Sequence, residues 1–142
     1  MSSVFASIVE YKLNVSYKTI NITGKNATAM TLNDSIPGPT LRFREGDIAR
    51  IYFKNNMDVA TSVHWHGILL PYRQDGVPYV ANPPIAPGET ELFEFPIKQA
   101  GTYWFHSHTG LQEQLGVYGS IVITPKEGEL ISSDQDKVIV LS

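Results

Sequence analysis

The feature that most constrains the fold is the rhythm of the chain. Short runs rich in Val, Ile, Thr, Tyr and Phe recur between clusters of Gly, Pro, Asn and Asp, and no stretch sustains the apolar period of an amphipathic helix. The spacing predicts strands over Val9–Tyr17, Thr28–Leu32, Thr40–Phe43, Asp47–Asn55, Ser62–Trp65, Thr90–Phe95, Gly101–His106, Gly119–Thr124 and Lys137–Leu141. Ile48-Ala49-Arg50-Ile51-Tyr52-Phe53 and Leu92-Phe93-Glu94-Phe95 alternate in polarity, as strands do when one face meets a core and the other meets water. Ile36-Pro37-Gly38-Pro39, Glu45-Gly46-Asp47, Asn82-Pro83-Pro84 and Ala86-Pro87-Gly88 supply the turns, Pro fixing φ and Gly opening positive φ. The expected architecture is all-β, with two sheets packed face to face as a sandwich. The stretch Gly67–Gly88 is too long for a hairpin loop and carries Tyr72, Arg73, Gln74, Asp75 and Tyr79, which suggests a functional loop.

A chain of 142 residues with 42% hydrophobic and 18% charged side chains suits one domain with a folded core, residues 1–142 reading as a single unit. The formal charge is −3 and no Lys/Arg run is present, so neither nucleic acid nor an anionic membrane surface is expected as a partner. The absence of cysteine excludes disulfides, thiolate metal sites and a Cys nucleophile. The opening Met-Ser-Ser-Val-Phe-Ala-Ser lacks both the charged and the long apolar region of a secretory signal. Val138-Ile139-Val140-Leu141 reads as a buried strand at which a following domain would begin.

Four histidines occur in the chain, and all of them fall in two pairs of identical spacing, His64-Trp65-His66 and His106-Ser107-His108. In a strand, residues i and i+2 project from one face about 6.5–7 Å apart, so each pair offers two parallel imidazoles able to serve neighbouring metals. Two such pairs on adjacent strands present nitrogen ligands to one patch, a donor set suited to copper or zinc rather than to calcium or magnesium. Satisfied core or surface histidines are the bland alternative. A four-histidine zinc site is the sharper rival.

The segments SIPGPTLRFREGD, SVHWHGILLPYRQDGVPYV, PPIAPGETELFEFP and AGTYWFHSHTGLQEQLGVYGSIVI resemble the first cupredoxin domain of a multicopper oxidase, of the laccase-like and bacterial copper-resistance type. The likeness runs from about Val9 to the C-terminus. It implies a cupredoxin-like Greek-key β-sandwich and a share in a trinuclear copper cluster that reduces dioxygen to water. Such a cluster holds one type 2 and two type 3 coppers on eight histidines from the first and last domains. By position, the resemblance makes His64 the type 2 ligand, His66 and His106 ligands of one type 3 copper, and His108 a ligand of the other. Asp75 matches an acidic residue implicated in proton delivery, although Asp75-Gly76 is also ordinary turn chemistry. Trp65, Tyr103, Trp104 and Phe105 are expected to turn away from the ligands into the core. Gln112, Glu113 and Gln114 read as a solvated loop, with hydrogen bonding behind the ligands as the alternative. Relatives of this type are commonly exported, so a periplasmic or secreted location is implied.

With no cysteine and no spare histidine, the chain cannot build the type 1 copper site through which electrons enter an oxidase of this kind. It is therefore expected to be the first domain of a larger oxidase or a stand-alone derivative. A second cupredoxin domain, or a second copy across the histidine patch, would complete the cluster, since two copies supply 2 × 4 = 8 histidines. Three readings stay open: a cluster-supplying domain, a homo-oligomeric oxidase fed directly by a small reductant, and a copper or zinc buffer without catalysis.

Overall fold

The structure is a computed structural model that describes residues 6–128 and 133–142; Met1–Phe5 of the N-terminal segment read above lie outside the described residues. Among the described residues eight strands form: β1 (Ile8–Ile20), β2 (Ala27–Leu32), β3 (Leu41–Arg44), β4 (Ile48–Asn55), β5 (His64–His66), β6 (Thr90–Pro96), β7 (Gly101–His106) and β8 (Tyr118–Thr124). They make two four-stranded sheets, ordered β2-β1-β4-β6 and β3-β8-β7-β5. Only β1–β2 and β7–β8 pair as sequence neighbours, because the other connections cross between sheets and leave β1 parallel to β4 and β3 parallel to β8. The two-sheet sandwich expected from the strand rhythm is the architecture found. Among the described residues no helix is long and apolar enough to cross a membrane.

The core follows from period-two alternation. Along β4, Ala49, Ile51, Phe53 and Asn55 point inward, and along β6 Phe93 and Phe95 do the same. With Leu13, Val15, Trp65, Phe105, Ile121 and Ile123 the apolar ones among them form the layer between the sheets, while Asn55 donates its buried amide to the Val59 and Ile85 carbonyls. Burying each Val, Leu, Ile or Phe side chain of this layer stabilises the fold by about 1.5–3 kcal/mol before the entropy of ordering is set against it. Trp65 is completely buried. Its ring lies 5.4 Å from Phe93 at an edge-on 76°, 5.8 Å from Phe95 and 5.6 Å from Phe105. Because Trp65 is locked inward, its neighbours His64 and His66 must face the outer side of the β3-β8-β7-β5 sheet.

Two expected elements differ. The strand around the first histidine pair is His64–His66 rather than Ser62–Trp65, since Thr61 and Ser62 spend their polar groups on loops and Thr61 makes only an isolated bridge to Ile85. No strand forms over Lys137–Leu141. That segment crosses the outer face of the β3-β8-β7-β5 sheet instead of running along an edge, so its backbone meets no ladder partner. Arg42 pairs with Asp136 at 3.3 Å and the Tyr118 hydroxyl donates to Ser142 Oγ at 2.6 Å, while Ile139 and Leu141 stay exposed.

Candidate metal centre

The two histidine pairs meet because β5 and β7 are antiparallel neighbours in a register that sets His64 opposite His106 and His66 opposite Trp104. His64, His66, Trp104 and His106 therefore occupy one face, and Trp65, Tyr103 and Phe105 the other. Trp104 corrects the sequence expectation. It stands two residues before His106, so the strand period places it beside the ligands rather than in the core. Its ring stacks on His106 at 4.2 Å and 19°, and on His66 at 4.9 Å and 29°. Trp65, Tyr103 and Phe105 do pack toward the core as expected.

His64, His66 and His106 each bring one ring nitrogen to within 4.8 Å of the others. His66 Nδ1 and His106 Nε2 are 3.2 Å apart. Two nitrogens bound at about 2.0–2.1 Å to one tetrahedral ion stand roughly 3.3 Å from each other, so this separation matches the bite of one ion as well as a hydrogen bond between the two rings. His108 lies just past the end of β7, outside that trio, its ring 6.0 Å from that of His64 and 5.9 Å from that of His106.

Each of two rings has its Nδ1 engaged by oxygens, which leaves Nε2 as the nitrogen it can offer to a metal. His64 Nδ1 lies 3.0 Å from the Asp75 carbonyl oxygen and 3.5 Å from its carboxylate Oδ2. His106 Nδ1 lies 2.8 Å from the Ser107 carbonyl and 3.0 Å from Glu113 Oε2. Burial pushes the His106 imidazole below its ordinary range, and the neighbouring His64 and His66 add to this. The Ser107 carbonyl and Glu113 pull the other way without cancelling it. The ring is thus biased toward the neutral form that binds metals.

Asp75 reaches His64 because Tyr72–Gln74 form one turn of 3-10 helix that Asp75 terminates, and because Gly76 follows with φ +79°. A Cβ on Gly76 would fall 1.7 Å from the Val63 carbonyl oxygen, so only glycine lets this loop lie against the residue preceding His64. Asn82 closes the loop: its Oδ1 accepts from the Gly76 amide at 2.9 Å and its Nδ2 donates to the Arg73 carbonyl at 2.9 Å. The loop thereby holds Asp75 against His64, and Asp75-Gly76 is a turn and a neighbour of the histidines at once.

The segment after the second pair also departs from expectation. Gln112 is buried, not solvated, and Glu113 stands against His106, whereas Gln114 is exposed as expected. A polar residue in a loop carries no sequence mark of burial.

Comparison with known proteins agrees with this arrangement. Residues 14–128 match the family model described as multicopper oxidase. Copper resistance protein A of Pseudomonas syringae pv. tomato is 47% identical over 133 residues, which cover 94% of this chain and 22% of that protein. Among solved structures, a multi-copper oxidase from Pseudomonas thermotolerans superposes with a TM-score of 0.82 at 35% identity, over 85% of this chain and 30% of its own. A laccase from Botrytis aclada gives 0.80 at 41% identity, over 84% of this chain and 23% of its own. The chain belongs to the multicopper oxidase family and forms one cupredoxin-like domain of it. It spans about a fifth of the length of the curated relative.

Proposed function

We propose that this chain supplies His64, His66, His106 and His108 to a type 2/type 3 copper cluster that a second cupredoxin domain completes. The observation that carries the reading is the convergence of three imidazoles within 4.8 Å, two of them at the bite distance of one ion. In this reading His64 holds the type 2 copper, His66 and His106 share one type 3 copper, and His108 serves the other. The outlying position of His108 suits a ligand whose copper is shared with a partner. The donor set fits copper: four imidazoles, two of them with the rear nitrogen held by carbonyl and carboxylate oxygens, and no competing thiolate. When bound, copper supplies reversible one-electron transfer at this face, with dioxygen as the acceptor in the reading proposed.

The chain's own residues do the rest. Trp65 turns β5 so that its histidines face outward, Trp104 stacks on two rings, and Glu113 and the Ser107 carbonyl fix the His106 ring. The Asp75 carboxylate holds and releases a proton beside His64 as the proposed relay. A second copy of the chain is a candidate for the completing partner, giving the eight histidines by two-fold symmetry. Export to the periplasm or outside the cell belongs to the same reading and is tested by fractionating the source cells.

The test is copper loading followed by metal analysis, electron paramagnetic resonance, near-ultraviolet absorption and sedimentation. A near-ultraviolet band from coupled coppers, lost in His66→Ala, supports the cluster. One copper per monomeric chain in a closed site refutes both the sharing and the dimer. A zinc or copper buffer is the second reading, favoured by the same 3.2 Å bite, which a tetrahedral zinc fits equally. Loaded protein that consumes no oxygen with ascorbate, and prefers zinc in competition, selects it.

A further inference from the structure

The two histidine pairs lie on different chain segments, and the β5–β7 ladder alone does not fix His108, which stands beyond its end. A second set of contacts joins the segments behind the imidazole face. Gln112 Oε1 accepts from Thr61 Oγ1 at 2.7 Å and from Ser107 Oγ at 2.9 Å, while Gln112 Nε2 donates to the Ala60 carbonyl at 2.8 Å. Ser107 is the residue between His106 and His108, and Ala60 and Thr61 lead into the strand of His64 and His66. Ser62 continues the link: its Oγ accepts from the His108 amide at 2.9 Å and from Thr109 Oγ1 at 2.8 Å. Ser107 Oγ in turn accepts from the Thr109 amide at 3.1 Å.

Thr61, Ser62, Ser107 and Gln112 are 0%, 2%, 3% and 6% exposed, so water does not compete for these bonds and leaving one unmade is costly. A primary amide is required at the centre. It must accept two hydroxyl donors on its oxygen and donate from its nitrogen, and no other side chain of this length does both without first taking up a proton.

We propose that Gln112 is a positioning residue that clamps the His106-Ser107-His108 turn to the segment entering His64, and so sets where His108 stands relative to the other three imidazoles. The proposal rests on the copper reading for its purpose but not for its geometry. It assigns to the buried amide a role in ligand placement that no copper contact of its own would supply. Replacing a residue that orients ligands from behind typically weakens metal affinity by about 10- to 100-fold.

The experiment uses the full chain as wild type, Gln112→Met, Gln112→Glu and Thr61→Val. Gln112→Met fills the space and removes every bond. Gln112→Glu keeps an oxygen for the two hydroxyl donors but sets a carboxylate oxygen, in place of the Nε2 donor, against the Ala60 carbonyl, which repels it when ionised. Thr61→Val removes one hydroxyl that donates to Gln112 and not to an imidazole. Two readouts are taken: copper(II) affinity by competition with a chelator, and amide hydrogen exchange of His108 in the metal-free protein.

In Gln112→Met we expect copper affinity lower by about 10- to 100-fold and faster exchange at His108, with the β4 and β6 core amides unchanged. Gln112→Glu should recover part of the affinity. Thr61→Val should produce a smaller loss that does not add to that of Gln112→Met. Unchanged affinity and unchanged His108 exchange in Gln112→Met overturn the clamp. Should Gln112→Met fail to fold, the Thr61→Val and Gln112→Glu proteins decide: wild-type values in both overturn it. Wild-type protein that binds no copper overturns the function proposed above instead, and His108 exchange still tests the clamp.

Discussion

Replacing Gly76 by alanine perturbs the approach of the Asp75 loop to β5, and its cost can be worked from the structure. The backbone there has φ +79°, a left-handed conformation that costs a residue with a Cβ about 1–2 kcal/mol. The added Cβ would also sit 1.7 Å from the Val63 carbonyl oxygen and 2.8 Å from its carbon. The neighbour is backbone and cannot rotate away, so the loop and the entry to β5 must separate by well over an ångström. Forced repacking of this kind costs a further ~1–3 kcal/mol. Gly88 is the control: its φ is +78°, and nothing lies within 4 Å of a Cβ built there. Gly88→Ala should therefore lose only the conformational part, about 1–2 kcal/mol, and Gly76→Ala about 2–5 kcal/mol. With a urea slope of about 2 kcal/mol/M, the two midpoints should differ by roughly 0.5–1.5 M. Gly76→Ala should also displace the Asp75 carbonyl from His64 Nδ1, and so disturb the His64 ring resonances where Gly88→Ala does not. Coincident midpoints for the two variants would refute the close-approach argument.

Three further outcomes follow from the site and its surroundings. In the metal-free protein His106 should titrate below the ordinary histidine value of 6.5, because burial favours the neutral ring; the unfolded chain then binds more protons between the two values, so His106 makes stability fall as pH drops from 6.5 toward its folded pKa. Ring-proton NMR against pH checks it, and a value at or above 6.5 contradicts the burial argument. Glu91 is half-buried and held above the usual carboxylate range by desolvation first and by Glu89 second, so folding favours its protonated form. Glu91→Gln should therefore stabilise the fold at neutral pH, with the gain vanishing as pH falls below the ordinary glutamate range, as read in urea melts at two pH values. Trp104 stacks on His66 and His106, so copper(II) loading should quench tryptophan fluorescence strongly in the wild type and weakly in Trp104→Phe; equal quenching in both would place the metal away from this stack.

Much of the protein was legible without coordinates, for reasons tied to short-range physics. Alternation along Ile48–Phe53 and Leu92–Phe95 depends only on which side of a pleat each residue occupies, so the core faces of β4 and β6 were readable directly. Turn residues mark their own positions, and the His-x-His spacing alone places two imidazoles on one side of a strand. Family membership was likewise carried by contiguous motifs, and it agrees with the match over residues 14–128. The same period of two sets Trp104, two residues before His106, on the ligand face of β7.

What the tertiary structure alone decided lies wherever distant segments meet. That His64 stands opposite His106 depends on the β5–β7 register, which no local pattern encodes. The absence of a strand at Lys137–Leu141 was equally beyond local reading: an apolar run becomes a strand only where an unpaired edge awaits it, and here it crosses a face. Gln112 is the sharpest case. Its composition and neighbours are those of a surface loop, and only the convergence of Ala60, Thr61 and Ser107 makes it a buried hub. Sequence determines which groups can bind a metal, since that is a property of side-chain chemistry and spacing. Where those groups stand relative to one another is set by hydrogen bonds between residues dozens of positions apart, and these exist only once the chain has folded.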